Sequence, residues 1–281
     1  MSHRSNERAF WFRGSTMAVG GRIESPISEN IETQGALVLP SIGGFAAAST
    51  GRFDHRNIIH FERATSTVSG QIVKHGNETA GETLVTVAID GLNILDVITA
   101  DRVVARMTSR DAKDERDRLP NPEILPFGSH FENLRIGGIP VELTPYLDLV
   151  REGHHEALIR PQVGDTGESE RFPWVDSNGV PDREDNAVPE RPGTPRARPV
   201  ADRARLAPLF NVGRSRAAAL AGSAMHGAHG IRIPGFGVVF FGEYLVTRAS
   251  RRLTMMRIEL GCPITGSIVC ANVDSNGHWD P

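Results

Sequence analysis

Long apolar runs are missing from this chain. No window approaches the roughly 18 consecutive apolar residues of a membrane-spanning helix. The stretch Ala9 to Phe12 is far too short for the apolar core of a secretion signal. Cysteine is nearly missing as well, with only Cys262 and Cys270. Two thiols cannot build a disulfide framework, nor a four-ligand zinc site unaided. They are expected as buried thiols in a reducing compartment, and a cytoplasmic location follows. Lysine is the third gap, since Lys74 and Lys113 are the only lysines among 31 basic residues. Arginine forks suit phosphate and RNA. However, 34 acidic residues lie among the basic ones and leave a net charge of −3. Such a balance supplies no field to draw in nucleic acid or an anionic membrane. A GC-rich bacterial genome, encoding arginine where lysine would serve, accounts for the bias.

Glycine and proline are plentiful, at 29 and 18 of 281 residues, which favours turns and strands over long helices. Period-two alternation points the same way. Val85, Val87 and Ile89 share one face of 83–90, opposite Thr86, Ala88 and Asp90. Val103, Ala105 and Met107 oppose Arg102, Arg106 and Thr108. Each pattern predicts a strand with one face buried and one wet. Residues 131–143 return to strand character, with Ile139, Val141 and Leu143 on one face. Leu253 to Leu260 and Ser267 to Val273 read as a closing hairpin around Gly261-Cys262-Pro263. One short helix is predicted from Thr144-Pro145, an N-cap followed by proline at the first helical position. Ala217 to Ala221 is ambiguous between helix and strand. The fold class is therefore mainly β, an antiparallel sandwich or barrel-like sheet system.

Composition divides the chain. Residues 1–18 read as a polar N-terminal arm, and 19–160 as the first part of the β domain. Segment 161–206 is expected to be a disordered, proline-rich insertion. Pro161, Pro173, Pro181, Pro189, Pro192, Pro195 and Pro199 fall in it among matched charges, with few apolar residues to repay ordering. Phe172-Pro173-Trp174-Val175 is the exception, read either as a docking motif for a protein partner or as a stretch packed back on the domain. Residues 207–281 complete the β domain. They include the most apolar segment of the chain, Ile231 to Val246. There Val238, Phe240 and Tyr244 are expected on one face, and Val239, Phe241 and Leu245 on the other. A strand apolar on both sides is central in two packed layers or part of an interface. A gapless alignment of Ala88–Val97 on Arg232–Phe241 suggests a duplication. The pentapeptide Val-Asp-Ser-Asn-Gly, at 175–179 and again at 273–277, has turn chemistry but not the glycine and glutamate positions of a calcium loop.

Signals for chemistry are sparse. His130 and Glu132, with His226 and His229, are the candidate catalytic or ligating groups. The spacing of three between His226 and His229 suits neither a helical nor a strand metal pair, so no metal site is assigned and no cofactor is expected. Gly222-Ser223 lacks a nucleophile-elbow frame, and Val19-Gly-Gly-Arg22 and Ile42-Gly-Gly-Phe45 lack the lysine of a phosphate loop. Asp101, Glu132 and Glu243 lie in strand-like segments, where carboxylates mostly face water. The balance leans away from an enzyme. The expected function is a non-catalytic β-rich binding or assembly protein that self-associates as a homo-oligomer, without nucleic acid or membrane partners. The competing expectation is a cofactor-independent small-molecule enzyme with its site in the mouth of a β-barrel.

Overall fold

The computed structural model describes residues 9–113, 122–146, 174–175, 204–212, 223–226, 230–247 and 250–280. Within them every regular element is a strand. The first nine are β1 (Phe10–Ser25), β2 (Glu29–Gln34), β3 (Leu37–Val38), β4 (Gly44–Thr50), β5 (Phe53–His55), β6 (Ile59–Phe61), β7 (Arg63–His75), β8 (Glu78–Ile94) and β9 (Ile98–Ala112). Short strands follow: β10 (Glu123–Leu125), β11 (His130–Glu132), β12 (Arg135–Ile136), β13 (Ile139–Pro140), β14 (Leu143–Pro145), β15 (Trp174–Val175), β16 (Ala204–Pro208), β17 (Phe210–Val212), β18 (Ala224–His226) and β19 (Gly230–Ile233). Three long strands close the chain, β20 (Gly237–Val246), β21 (Ser250–Leu260) and β22 (Thr265–Trp279).

All pairings are antiparallel. The first sheet runs β15–β16–β20–β21–β22–β1–β2, with β19 also beside β20, β18 beside β19 and β3 beside β1. In the second, β4 pairs with β7, β7 with β8 and β8 with β9; β6 and β5 continue from the far end of β8, and β13 from β12. The broken line β10, β11 and β12 flanks the other side of β9. The two sheets pack face to face over one continuous apolar core that runs from Phe10 to Val273. Close approach is built in by glycine. A Cβ at Gly81 or at Gly277 would come within 2.4 Å of the Phe10 ring, and one at Gly70 within 2.6 Å of Phe12.

Alternation explains β8 and β9 directly. Val85, Val87 and Ile89 face the core opposite Met107, Ala105 and Val103, and all six are fully buried. The five larger side chains contribute about 1.5–3 kcal/mol of burial each. The 253–260 and 267–273 segments form the expected hairpin, as β21 and β22. β9 runs on to Ala112 and includes Asp111, whose carbonyl accepts from the Trp279 Nε1–H at 3.0 Å.

The β20 expectation needs correction. Side-chain phase reverses along a line that crosses four neighbouring strands, at Gly242 in β20, Met255 in β21, Ala271 in β22 and Ala18 in β1. Gly242 (φ 62°) and Ala271 (φ 51°) take left-handed backbone there. A residue added to the period-two count sends the next side chain to the opposite face. Val239 and Phe241 therefore share the interior with Tyr244 and Val246, whereas Phe240 and Leu245 point outward. The outward face is covered within the same chain. The Arg257 guanidinium lies 3.9 Å from the Phe240 ring centroid and grips Glu243 with two bonds of 2.6 and 2.7 Å, while Leu206 packs on Leu245. Val238 to Leu245 is thus buried within the chain.

Other expectations also change. From Phe10 on, the N-terminal arm is β1, a central strand, with Phe10 and Phe12 inward and Trp11 and Arg13 outward. Thr144-Pro145 is strand, not helix cap, paired with Asn211 and Phe210; the remainder of that helix lies outside the described residues. Residues 131–143 are separate short pairings, and Ile139 is exposed. Val273–Gly277 makes no turn, because it lies inside β22 opposite β1, where Gly277 admits the Phe10 ring. The gapless repeat sets Gly91, in mid-β8, against Gly235 in the β19–β20 turn, so its residues are not structurally equivalent. Most of 161–206 lies outside the described residues, as does Ala217–Ala221. Trp174–Val175 and Ala204–Pro208 are exceptions, whose backbone pairing extends the first sheet beyond β20.

Candidate functional site

The sequence candidates do not assemble. His130 and Glu132 sit two apart on β11, hence on one face, and are exposed. His130 Nε2 lies 3.1 Å from Glu132 Oε1, and Nδ1 2.9 Å from the Gly128 carbonyl. An exposed pair of this kind contributes little. His226 ends β18, in the other sheet; its side chain, and all of His229, lie outside the described residues. Asp101 is exposed and accepts a bond of 2.6 Å from the Asn133 amide, while Glu243 is engaged by Arg257. Among the described residues no three of His, Cys, Asp and Glu gather as a metal site.

One buried polar feature gave no sequence signal. Arg251 faces the core from β21, beside Val246 of β20 and Ser275 of β22, and is fully buried. Its Nη1 donates to the carbonyls of Thr247 and, at 3.1 Å, Ser250. Nε and Nη2 have no hydrogen-bond partner among the described residues, nor do the Ser275 and Thr83 hydroxyls. Burial lowers the Arg251 pKa, opposed by the nearby Tyr244 hydroxyl. Burial likewise pushes Tyr244 up to about 12, with Arg251 pulling the other way. The Tyr244 hydroxyl donates across the sandwich to the Ile124 carbonyl at 3.1 Å. An Nε–Nη2 edge is the geometry that grips a carboxylate or phosphate, yet here it is sealed from solvent. Its first consequence is energetic, a buried cation with unused donors.

The outer face of the second sheet is more accessible. Pairing register places Ser69, Leu84, Thr108 and Leu125 in one row across β7–β10, and Gln71, Glu82, Arg110 and Glu123 in the next. A cleft of about 370 Å³ lies over these rows. Arg110 donates to Glu78 at 2.8 Å, and that bond raises its pKa, with Glu82 and Glu123 adding. The row is a solvated ion network whose one cation is already matched.

At the β4 end of the same face the chemistry changes. β4 pairs with β7 and, among the described residues, has no partner on its other side. Its sequence, Gly-Phe-Ala-Ala-Ala-Ser-Thr, carries no charge. Phe45 is 70% exposed, and Ile42, at the tip of the turn before it, 85%. That turn is fastened by bonds from the Gly43 N–H to the Pro40 carbonyl and from the Phe12 N–H to the Ser41 carbonyl, both 2.9 Å. Val38, at the start of the same loop, is also exposed. Two other edges of the described sheets differ. β2 carries Glu29 and Glu32, and β13 is two residues long and ends in Pro140. Charge, brevity and proline are the usual guards of a sheet edge, and β4 has none of them.

Residues 10–247 match the model of a family described as Domain of unknown function (DUF8256), and the chain belongs to that family. No curated protein matches the chain, and no solved structure does. The match stops short of β21 and β22, although β22 pairs with β1 from Phe10 to Ser25.

Proposed function

We propose that the chain is a non-catalytic binding and assembly module that self-associates as a homo-oligomer through the β4 edge of its second sheet. The observation that carries this reading is an uncharged, seven-residue strand with no strand on its other side among the described residues, bearing exposed Phe45 and preceded by exposed Ile42. An open row of backbone donors and acceptors is a template for another strand, and the exposed apolar pair adds area lost from water on contact. The cytoplasm is the proposed compartment, in keeping with Cys262 and Cys270, both free thiols. Light scattering of the full chain at high micromolar concentration tests the proposal. Wild type is expected as a discrete oligomer. The Ile42→Asp/Phe45→Asp variant should run as monomer with an unchanged β circular-dichroism signal, since both side chains are exposed. A monomeric wild type refutes the reading.

Catalysis ranks second, on one observation: a buried cation and a buried phenol, Arg251 and Tyr244, lie together in the core. Mass spectrometry of the purified protein discriminates, because a co-purifying small carboxylate or phosphate favours catalysis.

A further inference from the structure

We infer that β4 pairs antiparallel with β4 of a second copy, about a two-fold axis at Ala47, so that the second sheets of two sandwiches form one continuous sheet. The inference rests on the self-association reading and specifies its geometry.

Backbone comes first. β4 spends one row of amide groups on β7, from Gly44 opposite Gly70 to Thr50 opposite Ala64. Its other row has no strand beside it among the described residues. A second strand would satisfy those groups without repacking either core.

Side chains then select the partner. An axis at Ala47 pairs all seven residues of β4, the largest number any register allows. Ala47 meets Ala47, Ala46 meets Ala48, and Phe45 meets Ser49 of the partner, so each large ring faces a small side chain. Direct opposition preserves side-chain parity. Phe45, Ala47 and Ser49 of both copies therefore stay on the outer face, beside Ser69, Thr67 and Thr65 of β7.

Charge supports a second copy over an unrelated strand. A two-fold axis sets every residue near its own image, so a charged edge would repel itself. Here β4 is uncharged, and so is the neighbouring stretch of β7 from Ala64 to Gln71. The flanking charge on the β4 side is Arg52, just past the strand's end, and antiparallel pairing about Ala47 puts the two copies of it at opposite ends of the ladder, away from each other. A seven-residue ladder alone falls short of the roughly 800 Å² per partner of a standard interface. Ile42 and Phe45, at both ends of the ladder by symmetry, supply the apolar remainder.

The test uses the full chain with Cys262, the exposed thiol, changed to serine. Ala47→Cys is compared with Glu24→Cys, an exposed control on the first sheet, in the presence of a short bis-maleimide cross-linker. The expected result is rapid covalent dimer for Ala47→Cys and none for Glu24→Cys at the same dilution. A second variant, Ala47→Lys, places two like charges on the axis and should shift the oligomer to monomer while its melting curve stays that of a folded protein. If light scattering shows an oligomer but Ala47→Cys links no faster than the control and Ala47→Lys leaves the oligomer intact, the β4 pairing is overturned and self-association stands. If wild type is monomeric, both fall together.

Discussion

Two buried acids make the fold sensitive to alkali. Cys270 is fully enclosed, and burial pushes its thiol from 9.0 up to about 12. Tyr244 is also fully enclosed and is raised from 10.0 to about 12, by burial first, against a smaller opposing pull from Arg251. Both shifts are upward in the folded state. Their contribution is therefore fully present below the unfolded pKa and is lost as pH rises through the folded one. For the thiol that window runs from pH 9.0 to about 12, and for the phenol from 10.0 to about 12. Each unit is worth about 1.4 kcal/mol, so Cys270 stands to lose about 4 kcal/mol and Tyr244 about 3 across their windows. Together these losses rival the total stability of a typical domain, about 5–15 kcal/mol. Few other groups confuse the reading, because Lys74 and Lys113 are the only lysines. Urea unfolding followed by circular dichroism, under reductant and in steps from about pH 8 to about pH 11, should show stability falling from pH 9 and more steeply above pH 10. Cys270→Val keeps the volume, removes the thiol and should flatten the first part of the fall. Parallel losses for wild type and Cys270→Val between pH 9 and pH 10 would refute the reasoning.

Two further outcomes follow from the interior. Arg251→Met removes a buried cation with two unused donors and gives up its bonds to the Thr247 and Ser250 carbonyls. It should raise stability by about 1–3 kcal/mol, or several degrees in calorimetry; a loss instead would show that the guanidinium is paired in solution. Gly242→Ala forces a side chain onto left-handed backbone and to within 2.5 Å of the Phe210 ring. A cost of about 1–3 kcal/mol is expected as a lower urea midpoint at constant slope, and an unchanged midpoint would mean that the phase reversal in β20 tolerates a Cβ.

How much of this was legible depends on what each strand shows locally. β8 and β9 were readable over 83–90 and 102–108 because each keeps one wet face, so polarity marks the phase. β20 is buried on both faces, and hydrophobicity then marks nothing. Its reversal at Gly242 was invisible, and so was that at Ala271, an alanine in left-handed backbone with no residue-type signature. β1 alternates from Phe10, but the charged residues around Arg8 and Arg13 suggested an arm. Thr144-Pro145 misled because proline's fixed φ of about −65° suits a helix start and an extended edge alike. Among the candidate groups, His130 and Glu132 do share a face, as a spacing of two on a strand requires, but nothing local could say that the face is open to solvent. The β4 edge was missed for a non-local reason. Ala46-Ala47-Ala48 resembles helix by propensity, and which strand lies at an edge is decided by pairings tens of residues away.

The distribution of guards over the edges carries the functional argument furthest. A sandwich has edges that it cannot close as a barrel would, and each is a site of unwanted pairing unless something blocks it. This chain blocks β2 with Glu29 and Glu32, and it breaks the far side of β9 into three short strands with Arg135 in the third and Pro140 just beyond it. Charge is therefore available to the fold and is used where pairing would do harm. Placing one lysine or glutamate on β4 would cost little, since Phe45, Ala47 and Ser49 all point to solvent. An edge left uncharged next to exposed Ile42 and bearing exposed Phe45, in a chain that guards β2 and the far side of β9, fits the proposed strand kept open for a partner better than it fits neglect.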